Sequence, residues 1–178
     1  MFNYPPRAVD RAKKIKLLAL DVDGILSSGA IIYCDTHSES KAFNTQDGLG
    51  IKLLQQQNIT VAIITGRTSE IIDRRCNELN ITHIVQGQDN KLDALTSLKN
   101  TLNLAWSDIA YMGDDLPDLS AIQKAELGLS VPNAPSYIQK QANWVTQNPG
   151  GQGAVREACD LILFSQNKIK SIINQYSL

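Results

Sequence analysis

The segment LLALDVDGILSSG, residues 17–29, places four apolar residues directly before Asp21 and Asp23, two aspartates one residue apart. An apolar run without polar alternation is typical of a strand that is covered on both faces of a parallel sheet. In open α/β sheets, ligands bind outside the carboxyl ends of the strands, and alternate residues of an extended chain point the same way. The segment therefore predicts a buried strand that ends in a pair of converging carboxylates.

Similar apolar runs alternate with helix-period segments along most of the chain, at residues 59–66 and 108–114 and, more weakly, at 82–87, 127–131 and 143–146. This alternation predicts an α/β fold, a Rossmann-like three-layer sandwich with a mainly parallel sheet. The runs GAIIYCD and SKAFN interrupt it and predict an inserted β-hairpin at about residues 29–43. A glycine-rich loop opens the C-terminal tail, about residues 149–178, which we expect to continue as one amphipathic helix.

Composition narrows the class of protein. The 178 residues are 43% hydrophobic and 20% charged, which fits one domain over residues 1–178. A net charge of −1 implies no nucleic-acid or membrane partner, and the sequence has neither a secretory signal nor an apolar run long enough to span a bilayer. Cys34, Cys76 and Cys159 are widely spaced and predict buried thiols of a reducing compartment. We therefore expect a soluble cytoplasmic protein.

The aspartate pair favours a metal site. Two carboxylates in a partly dry site repel each other, and a bound divalent cation removes that cost. Oxygen ligands without nearby His or Cys favour Mg²⁺. A calcium-binding EF-hand loop is excluded, because Gly24 comes two places early and Ile32 occupies the position that requires Glu. The two aspartates could also be turn residues that cap a loop.

The other predicted strand ends carry matching chemistry. Thr65 and Arg67 lie where a strand meets a helix, an arrangement suited to phosphate oxygens. Lys91 follows the third strand near a helix start, although a lone lysine there is more often a solvated surface charge. The fourth strand ends in GDDLPD, where Asp114 is the best candidate for a further metal ligand and Asp118 could instead be a helix N-terminal charge.

The acid pair, Thr, Lys and acid cluster, in this order, resemble the motifs of the haloacid dehalogenase-like hydrolases. The segments LDVDGILSSG, KAFNTQDGLGIK, AIITGR, QGQDNK, GDDLPD and GGQGAVRE resemble more specifically the 3-deoxy-D-manno-octulosonate 8-phosphate phosphatases. These are capless, tetrameric members that act in lipopolysaccharide precursor synthesis. The spacing of the motifs in this chain fits a capless member, because neither residues 23–47 nor residues 65–91 leave room for a separate cap domain. Ser27 and Ser28 depart from the family, since many relatives carry Thr-Asp or Ser-Asp there.

The resemblance implies Mg²⁺-dependent hydrolysis of a phosphomonoester through an aspartyl phosphate. Asp21 would be the nucleophile, and Asp23 the general acid and base. The Asp21 carboxylate, the Asp23 backbone carbonyl and Asp114 would hold Mg²⁺. Thr65 and Lys91 would hold the phosphoryl oxygens. The inserted hairpins would join four copies into a homotetramer, with the tail near a neighbouring site.

The family's substrate contacts map onto a loop, a helix and several charged positions: Asp23, Asn44, Thr45, Gln46, Asp47, Gly48, Lys52, Arg67, Arg75 and Lys91. Guanidinium groups suit the carboxylate of a sugar acid, although Arg75 could equally be a solvated charge. The resemblance leaves the roles of Asp115, Asp118 and Arg156 open.

The sequence leaves some other functions open and speaks against others. Two alternatives stay open: a phosphatase for a related sugar acid, such as a nonulosonate 9-phosphate, and a non-catalytic oligomerisation module. A phosphomutase is disfavoured, because it needs a lid that excludes water. A dinucleotide-binding fingerprint is excluded, because Leu53 stands where the third glycine is required.

Overall fold

A six-stranded parallel sheet forms the centre of the structure, a computed structural model that describes residues 3–33 and 39–177. Its strands in spatial order are β5 (His83–Val85), β4 (Thr60–Ile64), β1 (Leu17–Leu20), β6 (Ile109–Met112), β7 (Leu127–Ser130) and β8 (Trp144–Val145). β1 pairs with both β4 and β6, and all four of its residues are buried. The predicted α/β fold with a mainly parallel sheet is confirmed.

Helices connect the strands and cover the sheet. They are α1 (Pro6–Ala12), α2 (Thr45–Gln56), α3 (Glu70–Glu78), α4 (Lys91–Thr101), α5 (Leu119–Lys124), α6 (Ser136–Gln139), α7 (Ala154–Ser165) and α8 (Ile169–Gln175). α7 packs against α1 and α2, whereas α4 packs against α5. The crossover through α2 leads from β1 to β4, and the crossover through α4 leads in the opposite direction across the sheet, from β5 to β6. Because such crossovers are right-handed, α2 and α4 lie on opposite faces of the sheet. In the described part of the chain, none of the helices combines the length and apolarity needed to cross a membrane.

Four asparagines with left-handed backbone conformation mark the ends of the longer helices. Asn58, Asn80, Asn103 and Asn167 have φ values of 60°, 55°, 52° and 59°, and each lies two residues beyond the last residue of α2, α3, α4 or α7. Asparagine adopts this conformation more readily than most residues, so it can end a helix where glycine is usual. The single C-terminal helix expected from sequence is wrong, because the turn at Asn167 divides the segment into α7 and α8.

The inserted hairpin is confirmed. β2 (Ile32–Tyr33) and β3 (Glu39–Ser40) form an antiparallel pair after β1, with Ile32 opposite Ser40. Residues 34–38, between the two strands of the predicted hairpin, lie outside the described residues. Ile31 and Ile32 are 44% and 49% exposed, so this arm presents apolar surface to solvent in a single chain.

Two cysteines agree with the expectation of buried thiols. Cys76 and Cys159 are buried and free, whereas Cys34 lies outside the described residues. Burial raises the pKa of Cys76 to about 11, so its side chain stays a neutral thiol.

Candidate active site

Three strand ends and one helix start bring the central predicted residues to one edge of the sheet. Asp21 directly follows β1, Thr65 directly follows β4, and Asp114 lies two residues after β6. Lys91 is the first residue of α4, the helix that follows β5. Asp21, Thr65 and Lys91 are buried, as expected where loops from adjacent parallel strands meet.

Lys91 forms a buried ion pair with two aspartates. Its Nζ lies 2.7 Å from Asp21 Oδ1 and 2.7 Å from Asp118 Oδ1. Burial lowers the pKa of Lys91, but the charges of Asp21 and Asp118 outweigh that effect and raise it above the ordinary value. Lys91 is therefore a site ammonium and not a solvated surface charge.

Asp118 organises the acidic loop after β6. Its Oδ1 accepts hydrogen bonds from the Tyr111 hydroxyl and from Lys91, each at 2.7 Å. Its Oδ2 accepts hydrogen bonds from the amides of Asp114 and Asp115, each at 3.1 Å. Sequence reasoning left the role of Asp118 open, although it closes the GDDLPD motif. Asp115 has a separate local role, because its Oδ1 caps the amide of Leu116.

Asp21, Asp114 and Asp118 form a group that could hold a cation, with ligand atoms within 4.8 Å of one another. Burial and the charge of Asp118 raise the pKa of Asp21 to about 7 and that of Asp114 to about 6. One ammonium faces three carboxylates here, so the site keeps an excess of negative charge. A hard divalent cation fits this oxygen-only set. Each oxygen of Asp118 already accepts two hydrogen bonds, so Asp21 and Asp114 are better placed to bind a metal ion.

Gly24 lets the loop after β1 approach the carboxylate of Asp114 closely. Its φ is +91°, and a Cβ at this position would overlap the Asp114 carboxylate. Only glycine combines this backbone conformation with so close an approach. The Asp23 side chain is outside the acidic group, and the predicted metal contact through its backbone carbonyl stays a prediction.

The raised pKa values predict how pH couples to Mg²⁺ binding. A carboxyl whose folded pKa exceeds its unfolded value of about 3.9 binds more protons when folded, so its contribution to the free energy of unfolding falls as pH rises from about 4 to about 7. We expect Mg²⁺ to raise the melting temperature more at about pH 7.5 than at about pH 5.5, because it offsets this loss. In Asp114→Asn, the dependence on pH should flatten and the response to Mg²⁺ should largely vanish. Differential scanning fluorimetry with excess Mg²⁺ or EDTA measures both. The exposed-acid variant Asp10→Asn is the control, and equal Mg²⁺ shifts at the two pH values would contradict this linkage.

Asp23 contacts a separate set of groups. Its Oδ1 accepts hydrogen bonds from Lys41 Nζ at 2.6 Å and Ser27 Oγ at 3.2 Å. Arg67 Nε lies 3.8 Å from Asp23 Oδ2, and the Arg67 guanidinium also reaches Glu39 at 3.4 Å. Sequence reasoning missed Lys41, because it lies in the hairpin arm and belongs to none of the strand-end motifs.

The predicted substrate loop begins α2. The Asn44 side chain caps the helix by accepting a hydrogen bond from the Gln46 amide at 2.7 Å. Thr45 and Gln46 occupy the exposed first turn. This turn leaves two polar side chains free to meet a ligand, while Asn44 is already engaged.

Asp47 is buried and holds the beginning of α7. Its Oδ1 accepts a hydrogen bond from the Arg156 amide at 2.7 Å, and its Oδ2 accepts one from the Gly153 amide at 3.3 Å. The Arg156 side chain pairs with Asp160 at 2.9 Å. Within one chain, Asp47 therefore ties the glycine-rich tail to α2, and its predicted contact with substrate stays a prediction.

The two predicted arginines differ in availability. Arg67 is 47% exposed beside Asp23. The Arg75 guanidinium carbon lies 5.6 Å from the centre of the Phe43 ring, and Nη2 donates a hydrogen bond to the Asn44 carbonyl at 3.4 Å. The Arg75 side chain is therefore largely occupied by contacts within the chain. Gly48 makes room for it, because a Cβ there would lie 2.6 Å from Arg75 Nη2.

Lys52 is not brought to this edge within one chain. It lines a pocket of about 690 Å³ together with Thr60 and His83, at the beginnings of β4 and β5. These are the amino ends of the strands, opposite the acidic site. Its predicted contact with substrate is therefore not supported by the arrangement of a single chain, and stays a prediction.

An open α/β sheet that carries Asp21, Thr65, Lys91 and Asp114 at the carboxyl edge of its strands defines a haloacid dehalogenase-like phosphohydrolase. The family model described as haloacid dehalogenase-like hydrolase matches residues 77–158. The chain is 45% identical to the 3-deoxy-D-manno-octulosonate 8-phosphate phosphatases of Salmonella typhimurium, over 92% of this chain and 87% of that protein, and of Escherichia coli K12, over 93% and 90%. The chain belongs to the 3-deoxy-D-manno-octulosonate 8-phosphate phosphatase family of these hydrolases.

Solved structures agree with this membership. The crystal structure of the Moraxella catarrhalis phosphatase in complex with magnesium ion, phosphate ion and the sugar acid matches with a TM-score of 0.96 and 49% identity, over 98% of this chain and 100% of that chain. The cobalt-bound Haemophilus influenzae phosphatase matches with a TM-score of 0.86 and 36% identity, over 89% and 92%.

Proposed function

We propose that this chain is a Mg²⁺-dependent phosphatase that converts 3-deoxy-D-manno-octulosonate 8-phosphate into the free sugar acid and phosphate, in lipopolysaccharide precursor synthesis. Relatives at 45% identity over most of the chain act on this substrate by name. The observation that carries the proposal is the buried Asp21 carboxylate, 2.7 Å from Lys91 Nζ and grouped with Asp114 and Asp118. This arrangement suits a nucleophile that must approach a negatively charged phosphoryl group.

In the first half of the reaction, a carboxylate oxygen of Asp21 attacks phosphorus and the bond from phosphorus to the sugar oxygen breaks. Asp23 gives its proton to the departing sugar oxygen. In the second half, Asp23 takes a proton from water, whose oxygen attacks phosphorus and releases Asp21. Positioned proton transfer of this kind contributes about 10²–10⁴-fold.

Two further residues hold the phosphoryl group. The Lys91 ammonium and the Thr65 hydroxyl face phosphoryl oxygens and offset the charge that they carry in the transition state. Asp118 keeps Lys91 in place and orients the amides of the acidic loop. The Asp21 carboxylate, the Asp23 carbonyl and Asp114 would hold Mg²⁺, which when bound polarises a phosphoryl oxygen and neutralises charge.

Recognition of the sugar acid requires donors at the mouth of the site. Arg67 offers an exposed guanidinium for the carboxylate, and Thr45 and Gln46 offer partners for hydroxyl groups. Arg75 and Asp47 support this surface from below through the contacts of α2 and α7.

A panel of phosphate esters tests this function. We expect phosphate release from 3-deoxy-D-manno-octulosonate 8-phosphate to exceed release from glucose 6-phosphate by at least about 10²-fold in kcat/KM, because the neutral hexose offers no carboxylate to the Arg67 guanidinium. EDTA should abolish release and Mg²⁺ should restore it. The highest kcat/KM with a nonulosonate 9-phosphate would instead favour the related sugar-acid phosphatase, and a preference for the neutral hexose phosphate would overturn the proposal.

We also propose that the protein is a cytoplasmic homotetramer joined through its hairpins. The exposed Ile31 and Ile32 support an association of hairpin arms, and the buried free thiols suit a reducing compartment. The site is open in one chain, and assembly would cover it. Light scattering after size-exclusion chromatography measures the mass directly, and a monomer at micromolar concentration would contradict the assembly.

A further inference from the structure

Lys41 joins the hairpin arm to the end of β1. It follows β3 directly, and its side chain is only 1% exposed. Its Nζ lies 2.6 Å from Asp23 Oδ1 and 3.2 Å from Glu39 Oε1. A buried ammonium is tolerated only where it is paired and hydrogen-bonded, so these two carboxylates hold Lys41 in one place.

The two oxygens of Asp23 have different surroundings. Oδ1 accepts hydrogen bonds from both Lys41 Nζ and Ser27 Oγ, at 2.6 Å and 3.2 Å. Oδ2 is buried and accepts no hydrogen bond from any residue in the described ranges, 3–33 and 39–177. Arg67 Nε lies 3.8 Å from this oxygen, beyond hydrogen-bond distance.

We propose that Lys41 is a positioning residue for Asp23, an inference that rests on the proposed phosphatase function. Lys41 and Ser27 together fix one carboxylate oxygen, and this orientation leaves Oδ2 to exchange a proton with the sugar oxygen. A carboxylate with a single anchored oxygen presents the other in a fixed direction, and a misplacement of about 1 Å can cost 10²-fold in rate.

Arg67 does not duplicate this role. Its side chain is 47% exposed, and its closest contact is with Glu39 at 3.4 Å. Exposed pairs of this kind hold geometry weakly, because water and salt compete with them. The fixed orientation of Asp23 therefore depends on the buried pair with Lys41.

A difference between leaving groups separates positioning from a merely structural role. An alkoxide leaves only when it receives a proton, so hydrolysis of the sugar phosphate needs a well-oriented Asp23. A p-nitrophenolate leaves without a proton, so p-nitrophenyl phosphate does not need Asp23 to form the aspartyl phosphate, and the two esters share only the later attack of water. A structural defect that disturbs Asp21 or the metal site would slow both esters alike.

The experiment compares Lys41→Met with wild type on both esters in Mg²⁺. We compare kcat/KM, which reports the steps up to release of the leaving group and not the later attack of water. We expect kcat/KM for the sugar phosphate to fall by about 10–100-fold and kcat/KM for p-nitrophenyl phosphate to change less than about threefold. Lys13→Met is the matched control, because Lys13 makes an equally short ion pair of 2.6 Å with Asp10 on the exposed surface of α1. Its kinetics should equal those of wild type on both esters.

Ser27→Ala repeats the test on the second group that donates to Asp23 Oδ1. It decides the result if circular dichroism shows that Lys41→Met is not folded. It should show the same selectivity with a smaller loss, because Ser27 supplies the longer hydrogen bond. If wild type is active, a variant that loses activity equally on the two esters, or loses none, would overturn the positioning role alone. A wild-type protein that hydrolyses neither ester would overturn the phosphatase function as well.

Discussion

Asp21→Asn is expected to fold like wild type and to lose phosphate release by at least about 10⁴-fold, because an amide cannot attack phosphorus. The fold should survive, since Lys91 keeps its 2.7 Å ion pair with Asp118 when Asp21 becomes neutral. The substitution also removes a carboxyl whose pKa burial raises to about 7, so the metal-free protein gains rather than loses stability near neutral pH. Single-turnover phosphate release and thermal unfolding measure the two effects.

Two comparisons make the Asp21 result specific. Asp10→Asn changes an exposed acid of α1 and should leave turnover unchanged. Asp21→Asn should also fail to retain radioactive phosphate on the protein after rapid acid quench, whereas wild type retains it. Undiminished turnover of Asp21→Asn would exclude this residue as the nucleophile.

Asp118→Ala is expected to lower the free energy of unfolding by about 3–5 kcal/mol, because it removes one partner of a buried ion pair. The Tyr111 hydroxyl and the amides of Asp114 and Asp115 lose their acceptor, and the Lys91 ammonium keeps only Asp21. Phosphate release should be lost together with stability, since Lys91 and the acidic loop no longer keep their positions. Urea unfolding at neutral pH measures the change in stability.

Asp115→Ala is the matched comparison within the same loop. Asp115 caps one amide, that of Leu116 at 2.8 Å, so its removal should cost about 0.5–2 kcal/mol. A cost for Asp118→Ala that equals the cost for Asp115→Ala would show that the buried network contributes nothing beyond a local cap.

The parallel sheet and its catalytic edge could be predicted because their signals are local. The buried run of β1 has no polar alternation, and a polar residue follows β1, β4 and β6 within two positions. Parallel strands then bring these ends together without any further information. Asp21, Thr65 and Asp114 were predicted on this basis, whereas the role of Lys91 came from the family resemblance.

Residues whose partners are distant in sequence could not be predicted in the same way. Lys41 reaches Asp23 across 18 positions, and Asp47 reaches the Arg156 amide across 109. Neither pairing leaves a pattern in the segments that contain them. Lys52 is a different case, because the family resemblance implies a substrate contact while α2 carries it to the other edge of the sheet within one chain, so that contact stays a prediction.

The left-handed asparagines after α2, α3 and α4 have a practical consequence for anyone who engineers this protein. Each precedes a strand, so Asn58, Asn80 and Asn103 line the rim of the sheet that faces away from the chemistry. Stability and turnover can thus be changed at opposite rims of the sheet. Replacing these asparagines with glycine relieves backbone strain and leaves every reacting group untouched.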